Sequence, residues 1–169
     1  KDFPSSLAKW KAANLKIEPT QNPNEVYVNA PDGVRVEVYG EPALPTPVSM
    51  NHIHYNAPDI PAIKTWYVKA FGANPGRRPS VASMFTNPTM IEAGDMPGVN
   101  LTFSGTRTPV GPTKGRALDH IGFDVTNLAE LVKSLEAKGI KIDAPIREVP
   151  NTRVIVAFLS DPGGTYIEL

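Results

Sequence analysis

The sequence predicts an α+β fold of paired βαβββ modules, with helices outside and a cupped sheet within. Three observations predict it. Capped amphipathic helix signals recur three times along the 169 residues. Runs that alternate apolar and polar residues surround them, as half-buried strands do. The order strand, helix, three strands occurs twice and carries a repeated motif: Asn51-His52-Ile53-His54-Tyr55 aligns with Asp119-His120-Ile121-Gly122-Phe123.

The elements follow in chain order. A helix is predicted over about Ser6 to Asn14, with Leu7 and Trp10 facing the core and Asn14 taking the left-handed stop. Lys16-Ile17-Glu18 echoes Lys141-Ile142-Asp143, and Ala30–Glu37 echoes Asp161–Glu168. Residues 1–41 therefore read as a partial N-terminal module, a helix plus strands, without a His-bearing first strand. Glu41–Pro47, with three prolines, joins it to the next unit. The first full module spans 50–104: strand Asn51–Ala57, then a helix from Asp59 to Gly72, then strands Val81–Thr86, Thr89–Ala93 and Val99–Ser104. Asp59 caps that helix, Pro61 suits its first turn, and Ile63, Tyr67, Ala70 and Phe71 form its apolar face. Gly, Pro and Thr mark 105–115 as a linker. The second module, 116–169, has strand Asp119–Val125, then a helix from Asn127 to Gly139. Asn127 and Glu130 form a capping box, Leu128, Leu131, Val132 and Leu135 the apolar stripe, and Gly139 the stop. Strands Ile146–Val149, Val154–Leu159 and Thr165–Leu169 complete it.

Composition excludes several chemistries. There are no cysteines, so disulfides, thiolate nucleophiles, thiolate zinc sites and iron–sulfur clusters are out. Seventeen basic residues balance seventeen acidic ones, which gives no overall field for nucleic acid or anionic lipid. The longest apolar run, Val154–Leu159, is far too short to span a bilayer. The expected partner is a small-molecule substrate, with no nucleic acid and no membrane. The numbering starts at Lys1, so localisation is left open between the cytoplasm and export with a leader removed.

The three histidines carry the chemistry. Residues two apart on a strand share a face. Ile53, Tyr55, Ile121 and Phe123 then pack on the helices, and His52, His54 and His120 point the other way. By the same parity Glu168 points away from the helix side, opposite Ile167. If two sheets curve around one cavity, His52, His120 and Glu168 converge there. Two imidazoles and one carboxylate are ligands for a single divalent ion (Fe, Mn, Ni, Co or Zn) with open positions.

Through Asp119-His120-Ile121-Gly122-Phe123, the helix after it, and Asp161-Pro162-Gly163-Gly164-Thr165-Tyr166-Ile167-Glu168-Leu169, the chain resembles the vicinal oxygen chelate superfamily. That group includes glyoxalases, bleomycin and fosfomycin resistance proteins and extradiol dioxygenases. The resemblance covers roughly residues 50–169, and implies that paired modules enclose a metal held by His52, His120 and Glu168. It implies a substrate with two neighbouring oxygens and isomerase- or lyase-type chemistry. The family's fourth position is Thr102 here, where glyoxalases carry a Glu that serves as ligand and base. The extradiol signature is broken too. Phe158 stands where its Tyr belongs, and Asn151, Thr152 and Arg153 offer no His. His54 is then the one histidine left as a catalytic acid/base or as a partner behind the ligands, although its repeat counterpart is Gly122, and metal-bound water or hydroxide is the alternative.

Two other readings stay open: a non-catalytic small-molecule binder of the bleomycin-resistance type, and an atypical Fe(II) dioxygenase. Plainer roles are expected elsewhere. Glu37 reads as a surface or salt-bridged residue, Arg77-Arg78 as a solvated loop rather than an anion clamp, Glu92 as solvated or paired, and Trp10 and Trp66 as packing. A homodimer is expected to cover exposed sheet edges.

Overall fold

The structure, a computed structural model, describes residues 2–79 and 90–169. The chain forms two compact units, Lys1–His52 with Arg77–Ile91, and Ile53–Gly76 with Glu92–Leu169.

In the first unit, α1 (Phe3–Ala12) precedes β1 (Lys16–Pro19), β2 (Glu25–Asn29) and β3 (Arg35–Tyr39). The strands form an antiparallel sheet in the order β1-β2-β3. The helix starts at Phe3, ahead of the predicted Ser6. Asp2 caps it, accepting from the Ser5 amide, and Pro4 sits in the first turn. Asn14 takes the predicted left-handed turn, with φ 56°. Leu7 and Trp10 pack on the buried Phe3, Val26 and Val28.

The other strands and helices are β4 (His52–Ala57), α2 (Ile60–Phe71), β5 (Asn74–Pro79), β6 (Met90–Asp95), β7 (Asn100–Gly105), β8 (His120–Gly122), α3 (Leu128–Ala137), β9 (Ile142–Glu148), β10 (Ile155–Ser160) and β11 (Tyr166–Glu168). They make two sheets with one topology, β4-β7-β6-β5 and β8-β11-β10-β9. In each, the first strand lies beside the last. This confirms an α+β fold with a repeated βαβββ pattern. Both helices cap as predicted. Asp59 accepts from Ala62 N and Asn127 from Glu130 N, while Gly72 and Gly139 turn left-handed at φ 68° and 74°.

Other elements also differ from expectation. Arg77 and Arg78 stand on strand β5, not in a loop, although Pro75 and Gly76 ordinarily read as a turn. The strand expected at 146–149 begins at Ile142. That expected at 119–125 is paired as a strand only over His120–Gly122. The expected strand Val81–Thr86 lies outside the described residues, as does Thr89.

The second unit is held by one core. Ile63, Tyr67, Leu101, Phe103, Leu135, Leu159 and Ile167 are almost fully buried, drawn from both helices and both sheets. Each aliphatic side chain so buried contributes about 1.5–3 kcal/mol relative to exposure. Ile53, Ile121 and Phe123 pack against this core, as strand parity requires. Trp66 meets Tyr67 and Phe71 edge-on at 5.0 and 5.7 Å, a packing role.

A polar chain crosses this core. The Tyr67 hydroxyl donates to Asp161 Oδ2 at 3.0 Å and lies 2.9 Å from the Tyr55 hydroxyl. Burial raises the pKa of both phenols above the ordinary tyrosine value, so both remain proton donors. Asp161 Oδ1 accepts from the amides of Gly163 and Thr165, both at 2.8 Å. These bonds shape the turn that launches β11. Gly164 is obligatory in it: its φ is 87°, and a Cβ there would sit 3.0 Å from Pro112 Cα. Among the described residues no helix is long and apolar enough to cross a membrane.

Candidate metal centre

β8 and β11 run parallel, with His120 opposite Tyr166 and Gly122 opposite Glu168. The core-facing partners in this register are Ile121 and Ile167. His120 and Glu168 therefore emerge together on the other face. His120 Nε2 lies 3.1 Å from Glu168 Oε2, with both side chains partly exposed. The other ring nitrogen, Nδ1, lies 2.8 Å from Asp119 Oδ1. Asp119 accepts from the Gly115 amide, and that bond, followed by His120, lowers its pKa below the usual carboxylate value. An ionised Asp119 thus fixes the ring and directs Nε2 toward Glu168.

The same arrangement occurs in the first unit. His52 Nε2 lies 3.3 Å from Glu37 Oε2, and His52 Nδ1 lies 2.8 Å from Asn51 Oδ1. These side chains are more sheltered, 19% exposed for His52 and 10% for Glu37. Of the two roles expected for Glu37, the structure shows the paired one, its partner being His52. Asn51 and Asp119 precede their histidines at matched positions of the repeat. That alignment was the signal for their ring-orienting role, which reading the histidines alone passes over.

A metal can be tested against these distances. Two donors about 2.1 Å from one ion lie roughly 3.0 Å apart at octahedral angles and roughly 3.4 Å apart at tetrahedral ones. Both His–Glu separations, 3.1 and 3.3 Å, fall in that interval. The donor types, imidazole and carboxylate with the second ring nitrogen anchored, also fit a divalent ion.

Aromatic groups surround His120. Phe158 and Tyr166 stack at 4.9 Å and 13°, and His120 stands edge-on to them at 5.8 and 6.4 Å. The segment read as a linker reaches this face. Thr113 Oγ1 donates to the Asp119 carbonyl at 2.7 Å and accepts from Tyr166 N at 2.9 Å. Lys114 Nζ lies 3.3 Å from the Tyr166 hydroxyl and 4.4 Å from its ring centroid. No periodicity announces these contacts, because the segment has no regular structure.

Thr102 is buried, 3% exposed, with Leu101 and Phe103 beside it facing the core. A hydroxyl stands there, so that position supplies no carboxylate. His54 is exposed and follows His52 by two residues on β4, hence on the same face of that strand. Glu92 is ion-paired, with its Oε2 2.7 Å from Lys64 Nζ.

The profile of the Glyoxalase/Bleomycin resistance protein/Dioxygenase superfamily matches residues 49–169. The chain belongs to that superfamily. Among solved structures it is similar to a glyoxalase family protein from Enterococcus faecalis, with a TM-score of 0.55 and 24% identity over 70% of this chain and 93% of that one. It is also similar to the fosfomycin resistance protein FosX from Listeria monocytogenes, with a TM-score of 0.55 and 13% identity over 73% and 93% of the two chains. A variant of FosX, complexed with Mn(II) and 1S,2S-dihydroxypropylphosphonic acid, matches with a TM-score of 0.51 and 16% identity over 70% and 87%. At these identities the likeness is one of fold. No curated protein sequence matches the chain.

Proposed function

We propose that this superfamily member is a glyoxalase-like metalloenzyme. It binds one divalent ion through His52, His120 and Glu168 and acts on a small substrate with two neighbouring oxygens by isomerase- or lyase-type chemistry. The observation that carries the reading is His120 Nε2 placed 3.1 Å from Glu168 Oε2, with Nδ1 held by Asp119. When bound, the ion supplies Lewis-acid stabilisation of a developing oxyanion.

The chain's own residues supply the rest. Asp119 holds His120 in the tautomer that presents a lone pair at Nε2. Phe158 and Tyr166 give the substrate an apolar wall beside the His120 ring. Thr102 has no carboxylate to take a proton, so His54 takes it on a ring nitrogen. Phe158 has no hydroxyl, which disfavours ring-cleaving dioxygenase chemistry at this face.

A second reading, a non-catalytic small-molecule binder, is favoured by the stacked Phe158–Tyr166 wall. Metal analysis of protein purified without chelator separates the two. One divalent ion per chain is expected, and a metal content far below one would sink the enzyme reading. We also read the chain as a homodimer, which light scattering checks as a mass of two chains.

A further inference from the structure

We propose that Glu37 is a ligand to the ion carried by His52, within an N-terminal half-site for a cation of the Mn(II), Fe(II) or Zn(II) class. The inference rests on the metal reading above through His52, which belongs to both.

The first support is geometric equivalence. Glu37 Oε2 faces His52 Nε2 as Glu168 Oε2 faces His120 Nε2, at 3.3 and 3.1 Å. In each pair the histidine's Nδ1 is anchored at 2.8 Å by the side-chain oxygen of the preceding residue. Glu37 holds the place in the segment Ala30–Glu37 that Glu168 holds in Asp161–Glu168. The N-terminal partial module thus contributes a carboxylate of the kind that Thr102 lacks.

The second support is independent of the repeat. Glu25 lies on β2 and Glu37 on β3, whose register pairs Glu25 with Tyr39 and Tyr27 with Glu37. Glu25 and Glu37 are therefore diagonal neighbours on one face of the sheet. Glu25 is 1% exposed. Its Oε2 accepts from Asn22 Nδ2 at 3.4 Å, but its Oε1 has no hydrogen-bond partner. A buried carboxylate oxygen without a donor, next to a second carboxylate, is costly unless a cation or a shared proton sits between them. A divalent ion on Glu37 and His52 offsets that cost.

Mn(II) is the probe. Its binding to the full chain is followed by the electron paramagnetic resonance signal of the free ion, with circular dichroism confirming folding. Wild type, Glu37→Gln and Glu168→Gln are compared. Glu37→Gln should weaken Mn(II) binding more than about tenfold. Glu37→Asp keeps the charge but withdraws the oxygens. It should fall between wild type and Gln, and it serves as the test if Glu37→Gln does not fold. If Glu168→Gln loses Mn(II) while both Glu37 variants bind as wild type, the inference is overturned and the His52, His120 and Glu168 reading stands. If the Glu37 variants lose it and Glu168→Gln keeps it, the inference holds and that reading fails. Loss in both places Glu37 and Glu168 on one ion. Wild type that binds no Mn(II) overturns both, and leaves a shared proton between Glu25 and Glu37.

Discussion

Protein carrying His120→Ala is expected to lose its divalent ion while keeping its fold. The His120 side chain is 41% exposed and lies outside the buried core, so the cost to folding should stay near 1 kcal/mol or below. Its Nε2 is the imidazole nitrogen 3.1 Å from Glu168 Oε2, so affinity should fall by more than about 100-fold, beyond the 10–100-fold typical of losing an outer partner. Glu168→Gln should act similarly by removing the anionic donor. Asp119→Asn is the milder change. It leaves His120 facing a neutral amide oxygen, as Asn51 already does for His52 at 2.8 Å, so a loss near the tenfold end is expected. Metal content per chain and a Mn(II) titration read all three. The melt provides a second readout, because an ion that binds only the native state adds about 2.7 kcal/mol of stability at 100 times its Kd. That increment should vanish in His120→Ala. A His120→Ala protein with undiminished metal would remove His120 from the site.

Asp161→Ala should give the largest loss of stability. One carboxylate serves three donors: the amides of Gly163 and Thr165, and the Tyr67 hydroxyl within the core. Removing it strands the two amides and leaves the Tyr67 hydroxyl only its Tyr55 partner inside the core. A buried donor left unsatisfied costs about 1–3 kcal/mol, and the two amides are only partly buried, so a total of about 3–5 kcal/mol is expected. That is a large share of the 5–15 kcal/mol typical of a domain and corresponds to a fall in Tm of roughly 8–15 °C. Tyr67→Phe is the comparison. It removes one of the three bonds and leaves Asp161 bonded to both amides, so about 1–2 kcal/mol is expected. Calorimetry of the two variants checks the ratio. Equal losses would show that the phenol, not the turn, carries the effect. Asp161→Ala should also weaken metal binding without touching a ligand, because the turn sets where β11 delivers Glu168.

The helices and the facing of the strands were legible in the sequence because their causes are local. Asn127 and Asp59 cap within one turn, Gly72 and Gly139 stop their helices by adopting a positive φ, and a period of two separates His120 from Ile121 and Glu168 from Ile167. The repeat announced two strand–helix–three-strand units, and the strand order the two sheets share came from the folded chain. What remained hidden depends on residues far apart in the chain or on segments without periodicity. Strand β5 is masked by Pro75 and Gly76, whose local preference for a turn is overridden by pairing within the sheet. Thr113, Lys114 and Gly115 meet β8, β11 and Asp119 through loop geometry that no pattern encodes. The pairing of Glu37 with His52 spans the proline-rich 41–47 segment, and no local rule specifies which carboxylate a strand histidine will meet across it. Residue types and spacing decide which side chains share a face. Only the folded chain, by closing its loops, decides which of them come within 3.3 Å.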